Sequence, residues 1–283
     1  PHPLREPLFV DRYAVFGHPV AHSLSPRIHA HFAAETGQEL SYEAIEAPLD
    51  GFAASVRAFL AAGGRGANVT VPFKGEACAL ADRVDPPAAR AGAANTLRVE
   101  PDGRLAAFNT DGVGLVTDLR DHLGVPLAGA RVVLVGAGGA AAGAAEALLD
   151  AAAAERVLAN RTAARARALV QRFHERASGA LLRAAPFLGL PPADLLVNAT
   201  AASLAGAVPP LPEAVVVKGT FAYDMMYADA PTPFLRWCRT RGAGRTADGL
   251  GMLVEQAAEA FLLWRGVRPD TAGVRALLRP DAR

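Results

Sequence analysis

The run Val132-Val133-Leu134-Val135 passes without a break into Gly136-Ala137-Gly138-Gly139-Ala140-Ala141 and then into an alanine-rich helical pattern. Four apolar β-formers in a row suit a strand buried on both faces, as the middle of a parallel sheet requires. The turn fits the spacing G-x-G-x-x-G/A, with Ala141 in the last place. Glycine there lets the backbone approach a pyrophosphate, and the N–H groups of the helix start bind it. A merely tight turn is the plainer reading of a glycine-rich loop; the strand–turn–helix setting favours the nucleotide. The next apolar run, 157–159, ends at Asn160-Arg161-Thr162. An NAD site usually carries Asp or Glu at this point, bonded to the ribose 2′-hydroxyl. Here no carboxylate stands there, and Arg161, Thr162 and Arg165 suit a 2′-phosphate. The plain alternative is a solvated arginine face on a helix. The expected cofactor is NADP.

A length of 283 residues predicts about two domains. With 51% hydrophobic and 20% charged residues the chain has material for a large core, which excludes global disorder. The net charge of +1 comes without a charged block, so neither nucleic acid nor an anionic membrane is an expected partner. Cys78 and Cys238 stand alone, which argues against a disulfide framework and a structural zinc. The most apolar stretch, 132–159, is broken by glycines and by Glu146, Asp150, Glu155 and Arg156, so no membrane span is expected. The first residues lack the apolar region of a signal peptide. A reduced, cytoplasmic protein is the expectation.

The first half alternates short apolar runs with helical patterns, which favours βαβ units and a mainly parallel sheet. Strands are predicted at 13–16, 42–45 and 67–71, a hairpin at 97–99 and 105–108 across Asp102-Gly103, and helices at 25–36, 51–62 and 111–123. The second half adds strands at 132–135, 157–159, 195–197 and 215–217, and helices after the glycine turn and at 162–173, 234–241, 250–264 and 271–278. Glycines near 111–114 and 248–251 read as hinge positions.

Only Lys74 and Lys218 are lysines among the 29 basic residues. Lys74 directly follows Asn68-Val69-Thr70-Val71-Pro72-Phe73. A lysine kept in so arginine-biased a chain points to an amine that titrates, which a guanidinium does not; a stray surface lysine is the bland reading. Asp111, in Asn109-Thr110-Asp111-Gly112, follows a strand end, where active sites of open α/β sheets collect. It reads equally as a helix N-cap. Ser23 and Ser25 lie in the loop after the first strand, and Ser25 could cap the helix that Pro26 begins. His18, His22, His29 and His31 crowd together, but without cysteines or acids beside them no metal is expected.

These segments, taken in order, resemble the shikimate dehydrogenase family. The resemblance rests on His22-Ser23-Leu24-Ser25-Pro26, Asn68 to Lys74, Gly92-Ala93-Ala94-Asn95-Thr96, Asn109 to Gly112, the Gly136 turn, Asn160-Arg161-Thr162, Tyr223-Asp224-Met225-Met226-Tyr227, and the run from Asp248-Gly249-Leu250-Gly251-Met252 to Gln256-Ala257. It implies an α/β fold, with an N-terminal substrate domain of mainly parallel sheet over 1–111, completed by helices from 248–283, and a Rossmann-like NADP domain over 112–247. It further implies that Ser23 and Ser25 bind the substrate carboxylate. Thr70, Asn95 and Gln256 would bind the ring hydroxyls with Lys74 and Asp111, Tyr227 would close the site, and Lys74 and Asp111 would be the catalytic pair. On the cofactor side stand Gly136, Ala137, Gly138, Gly139, Ala140, Asn160, Arg161, Thr162, Arg165, Thr200, Gly249 and Met252. The implied reaction is the reversible NADPH reduction of 3-dehydroshikimate to shikimate by a monomer or homodimer, with no metal. A quinate/shikimate dehydrogenase of broader specificity and a non-catalytic NADP sensor are the rival readings. Two departures stand out: the loop 198–203 lacks the serine and glycine frequent after Asn-Ala-Thr, and His18 replaces a frequent asparagine.

Overall fold

The computed structural model describes residues 10–176 and 181–279. The chain divides into two compact units, one of residues 1–84, 94–108 and 257–283, the other of 85–93 and 109–256. This division differs from the sequence boundaries at three points, and the clearest has a physical reason. The six-residue helix Pro86–Ala91 packs on the helix that follows the glycine turn, and its Arg90 reaches the buried Glu146 at 2.6 Å. Residues 85–93 therefore go with the second unit.

The first unit holds β1 (Asp11–Gly17), β2 (Leu40–Glu46), β3 (Gly64–Val69), β4 (Arg83–Val84), β5 (Thr96–Val99) and β6 (Leu105–Phe108), in the order β2-β1-β3-β5-β6-β4. β1 runs parallel to β2 and β3, and β4 parallel to β6; only β5 is antiparallel to its neighbours. Helices α1 (Ser25–Thr36), α2 (Phe52–Ala61) and α3 (Lys74–Leu80) cover the sheet; α4 is the Pro86–Ala91 helix. The last five residues of β1 are all buried, and among them Phe16 meets Phe52 and Phe59 edge-on, while Phe52 stacks on Phe73. A second aromatic cluster joins His29, Phe32, Tyr42, Phe261 and Trp264. The expected cap at Ser25 is not found. Leu24 holds the cap position, Ser25 is already helical, and its N–H goes to Ser23 Oγ at 3.3 Å.

The second unit holds β7 (Arg131–Val135), β8 (Glu155–Ala159), β9 (Leu181–Ala185), β10 (Leu195–Asn198), β11 (Phe221–Asp224) and β12 (Arg245–Asp248), all parallel, in the order β12-β11-β10-β7-β8-β9. The order reverses between β7 and β10, the switch point at which doubly wound sheets bind ligands. Val132, Leu134, Leu195, Val197 and Tyr223 face one core, and Val133, Val135, Leu196 and Ala222 the other. Both faces are thus covered, as an all-parallel sheet demands. Helices α5 (Asp111–Thr117), α6 (Gly139–Leu149), α7 (Ala163–Phe173) and α8 (Pro233–Thr240) belong here, as do the opening turns of α9 (Leu250–Arg265). α10 (Ala272–Leu278) lies in the first unit. The helix predicted over 111–123 changes to π winding at Asp118–His122.

The strand predicted at 215–217 is absent. Glu213–Val215 is a short 3₁₀ turn and Val217 is exposed, while the buried strand is Phe221–Asp224, a few residues later. The glycines at the positions read as hinges are closely packed: a side chain at Gly112 would strike the Gly143 carbonyl, one at Gly249 the Met225 carbonyl, and one at Gly251 the Asp118 carboxylate. Cys78 and Cys238 are both free thiols, and burial pushes Cys238 up to about 12. No helix among the described residues is long and apolar enough to cross a membrane, and the described residues hold no cluster of His, Cys, Asp and Glu fit for a metal.

His29 explains its own place in the histidine-rich stretch. It is fully buried, its ring stacks on Tyr42 at 4.3 Å, and burial lowers its pKa to about 3. The folded chain therefore keeps it neutral while the unfolded chain protonates it below about 6.5. The stabilising contribution is complete above that value and is lost as pH falls towards 3. Between pH 6 and 4, a His29→Phe variant should lose about 1.4 kcal/mol per pH unit less stability than the parent. Denaturant melts at stepped pH check this, and identical pH slopes would refute it.

Candidate active site

In the first unit the relevant residues gather at one edge of the sheet. The carboxyl ends of β1, β3 and β6 lie there, and the antiparallel β5 brings its amino end to the same edge, with Asn68 opposite Thr96 and Thr96 opposite Phe108. Ser23 and Ser25 lie in and just after the loop leaving β1. Thr70 and Lys74 follow β3, and Asn95 directly precedes β5. Main-chain bonds hold these loops together: Thr70 N–H donates to the Phe16 carbonyl, His18 N–H to Val71, Val69 N–H to Asn95, and Ala94 N–H to Lys74. Lys74 is the first residue of α3 and half-buried; Ser25 and Asn95 are buried. His18, the unusual residue, uses Nδ1 to donate to the Ala47 carbonyl at 3.1 Å and so ties the loop after β1 to the end of β2.

In the second unit Asp111 is the first residue of α5 and is buried. Thr110, not Asp111, occupies the N-cap position, so the purely capping reading of Asp111 falls away. Asn109 does the local positioning: its Oδ1 accepts from the Asp111 N–H at 3.1 Å, and its Nδ2 donates to the Ala93 carbonyl at 2.9 Å. Gln256 lies on α9, where Thr110 Oγ1 donates to its Oε1 at 3.4 Å and its Nε2 donates to the Leu253 carbonyl. Tyr227 is half-buried in the segment after β11.

The cofactor side is built from strand ends. Val135 pairs in register with both Ala159 and Asn198, Asn198 with Asp224, and Asp224 with Asp248, so β7, β8, β10, β11 and β12 all end on one row. Gly136 comes next at φ +125°, a conformation that excludes side chains, and a Cβ there would press on Ala199 at 3.1 Å. Gly138 caps α6 with extended backbone and no side-chain partner, which leaves the first N–H groups of an eleven-residue helix for an anionic group. The residues present thus fit a pyrophosphate. Arg161, Thr162 and Arg165 stand exposed at the start of α7, and Asn160 Nδ2 bonds the Thr162 carbonyl. Neither arginine is held in an ion pair among the described residues. Thr200 and Gly249 lie just past the ends of β10 and β12, and Met252 in the first turn of α9.

The atypical loop after β10 has its own anchor, which motif reading did not reveal. Asn198 Oδ1 accepts from both the N–H and the hydroxyl of Thr200, and Asn198 Nδ2 donates to Asp224. Ser203 and Thr232 donate to the other Asp224 oxygen, at 2.7 and 2.6 Å. Asp224 is fully buried, and burial raises its carboxyl pKa against the opposing pull of these donors. The only sequence signal was polar residues at the ends of apolar runs.

The comparisons agree with this architecture. Residues 15–97 match the shikimate dehydrogenase substrate-binding domain, 119–206 the shikimate/quinate 5-dehydrogenase family and 249–279 the shikimate 5′-dehydrogenase C-terminal domain. The chain is 55% identical to the NADP(+) shikimate dehydrogenase of Alkalilimnicola ehrlichii, over 96% of this chain and 99% of that one. It is 56% identical to that of Aromatoleum aromaticum, over 95% and 97%. The shikimate 5-dehydrogenase of Thermus thermophilus, solved with NADP(H) and shikimate, is 39% identical and superposes with a TM-score of 0.85 over 96% of this chain and 99% of that one. The chain belongs to the shikimate dehydrogenase family.

Proposed function

We infer that the NADP-dependent shikimate dehydrogenase activity of this family is carried out here with Lys74 and Asp111 as the proton-handling pair. The observation that carries the reading is the placement of both residues on the first turn of a helix that directly follows a strand: Lys74 after β3 and Asp111 after β6. The first unit acts as the substrate domain and the second as the cofactor domain. When bound, NADP accepts or supplies a hydride at the substrate's C–O carbon. The oxygen on that carbon must then lose or gain a proton. An amine with a carboxylate as partner moves that proton and stabilises the charge developing on oxygen. Ser23 and Ser25 supply hydroxyl donors for the substrate carboxylate, Thr70, Asn95 and Gln256 polar groups for the ring hydroxyls, and Tyr227 closes the site. The protein works in the cytoplasm, as a monomer or homodimer.

The Gly136–Ala140 turn and the α6 start take the pyrophosphate, with Thr200, Gly249 and Met252 lining the cofactor side. Asn160, Arg161, Thr162 and Arg165 take the 2′-phosphate. Replacing Arg161 and Arg165 together by Ala should weaken NADP binding about 10- to 100-fold for each charged hydrogen bond lost, and leave NAD binding nearly unchanged. Parallel titrations of both cofactors test this; equal losses would remove the clamp.

Lys74→Ala should lower kcat for shikimate oxidation by about 10²–10⁴ with a smaller effect on KM, and Asp111→Asn should do the same. The double variant should fall little further, because losing either member breaks the proton path. Steady-state kinetics, with folding checked by circular dichroism, decides. Near-normal kcat in folded Asp111→Asn would take Asp111 out of the pair, and absence of any shikimate-dependent NADPH signal in the parent would overturn the whole reading.

A further inference from the structure

A chain of side-chain hydrogen bonds runs behind the substrate edge of the first unit, and the chemistry above gives it no task. Tyr42, on β2, bonds Asn68 Oδ1 at 2.7 Å. Asn68 Nδ2 donates to the Asn95 carbonyl at 3.2 Å and to Thr96 Oγ1 at 3.1 Å. Thr96 Oγ1 in turn donates to Asn95 Oδ1 at 3.2 Å. Asn68, Asn95 and Thr96 are all buried.

The Asn95 carbonyl fixes the direction of this chain at Asn68. A backbone carbonyl only accepts, so the amide nitrogen of Asn68 must be the end facing Asn95 and Thr96. Its oxygen then faces Tyr42, whose phenol must donate. Turning the Asn68 amide over would set its oxygen against the Asn95 carbonyl, which has no proton to give. Thr96 Oγ1, which accepts from Asn68 Nδ2, gives its single proton to Asn95 Oδ1. The Asn95 amide is thereby held with its NH₂ end turned away from Thr96. Burial lifts the Tyr42 phenol well above its usual range, so it stays protonated, and the neutral His29 ring stacks on it with 8° between the planes. The Ser25 hydroxyl also interacts with the Tyr42 hydroxyl.

We propose that Tyr42 is a positioning residue of the reaction: through Asn68 and Thr96 it holds the Asn95 amide in the one orientation that offers hydrogen-bond donors, not an acceptor, to an oxygen of the substrate. This rests on the assignment of Asn95 to the substrate. An asparagine amide presents either face with similar ease, and a site that must hold the same substrate oxygen as hydroxyl and as ketone gains from a fixed donor, because only the donor suits both.

Four variants of the full chain test it: Tyr42→Phe, which keeps the ring and its stack, Thr96→Val, which keeps the shape, Thr96→Ser, which restores the hydroxyl, and Asn95→Ala. Tyr42→Phe and Thr96→Val should each raise KM for shikimate about 3- to 10-fold, the range for one lost neutral hydrogen bond, with kcat within twofold and KM for NADP unchanged. The double variant should be no worse than either single one, and Thr96→Ser should behave as the parent. An unchanged shikimate KM in Tyr42→Phe, an additive double variant, or an equal rise in KM for NADP overturns the proposal. If Tyr42→Phe does not fold, the Thr96→Val and Thr96→Ser pair decides alone. A raised KM in Asn95→Ala beside a silent Tyr42→Phe rejects only the relay, whereas a silent Asn95→Ala removes Asn95 from the site and the relay with it.

Discussion

The register of the second sheet is the constraint from which its site follows. Five parallel strands end on one row, at Ala159, Val135, Asn198, Asp224 and Asp248. The residue just past an end bonds the end of a neighbour: Gly136 N–H to Ala159 at 2.7 Å, Ala199 N–H to Val135 at 2.8 Å, and Met225 N–H to Asn198 at 2.9 Å. The loops therefore leave the sheet from fixed points. A slip of one residue in any strand would turn its buried side chains to the other face and move its loop by about 3.3 Å. Because both faces are packed, such a slip buries polar groups, and the packing that stabilises the sheet also places the nucleotide-binding turns.

The first sheet solves a different problem. A purely parallel sheet would bring only carboxyl ends to the substrate edge. The antiparallel β5 brings an amino end there as well, and this is how Asn95, which precedes a strand, joins Thr70 and Lys74, which follow one. The same reversal puts Thr96 opposite Asn68, so that buried amides and hydroxyls meet and satisfy one another. Buried polar groups are tolerable only when each finds a partner, which ties the identities of Asn68, Asn95 and Thr96 together.

Much of this was legible in the chain. The glycine turn and the strand–helix alternation rest on residue types that few others replace: a glycine at positive φ and an apolar run buried on both faces. What escaped depended on partners distant in sequence. Val215–Val217 has the stronger β-forming composition, yet Phe221–Asp224 became the strand, because Asp224 is the residue that Asn198, Ser203 and Thr232 require beside them. The Pro86–Ala91 helix is not among the predicted elements, although its Pro-Pro start suits a first helical turn. Ser25 and Asp111 looked like caps since their residue types cap well; the backbone places each one position too far into its helix to do so.

The loop after β10 shows why a motif departure need not disturb a site. Its sequence departs from the pattern expected from the family resemblance, but its shape depends on Asp224, whose fully buried carboxylate is tolerable only with donors around it. Three side chains and the Met226 N–H supply them, one being Ser203 from the far end of the loop itself. Asn198, bonded to that carboxylate by its nitrogen, has its oxygen left to hold both polar groups of Thr200. Thr200 then orients the following N–H of Ala202. The loop is thus held at both ends by one buried charge, and alanine at 201 and 202 is accommodated because neither side chain is part of that network.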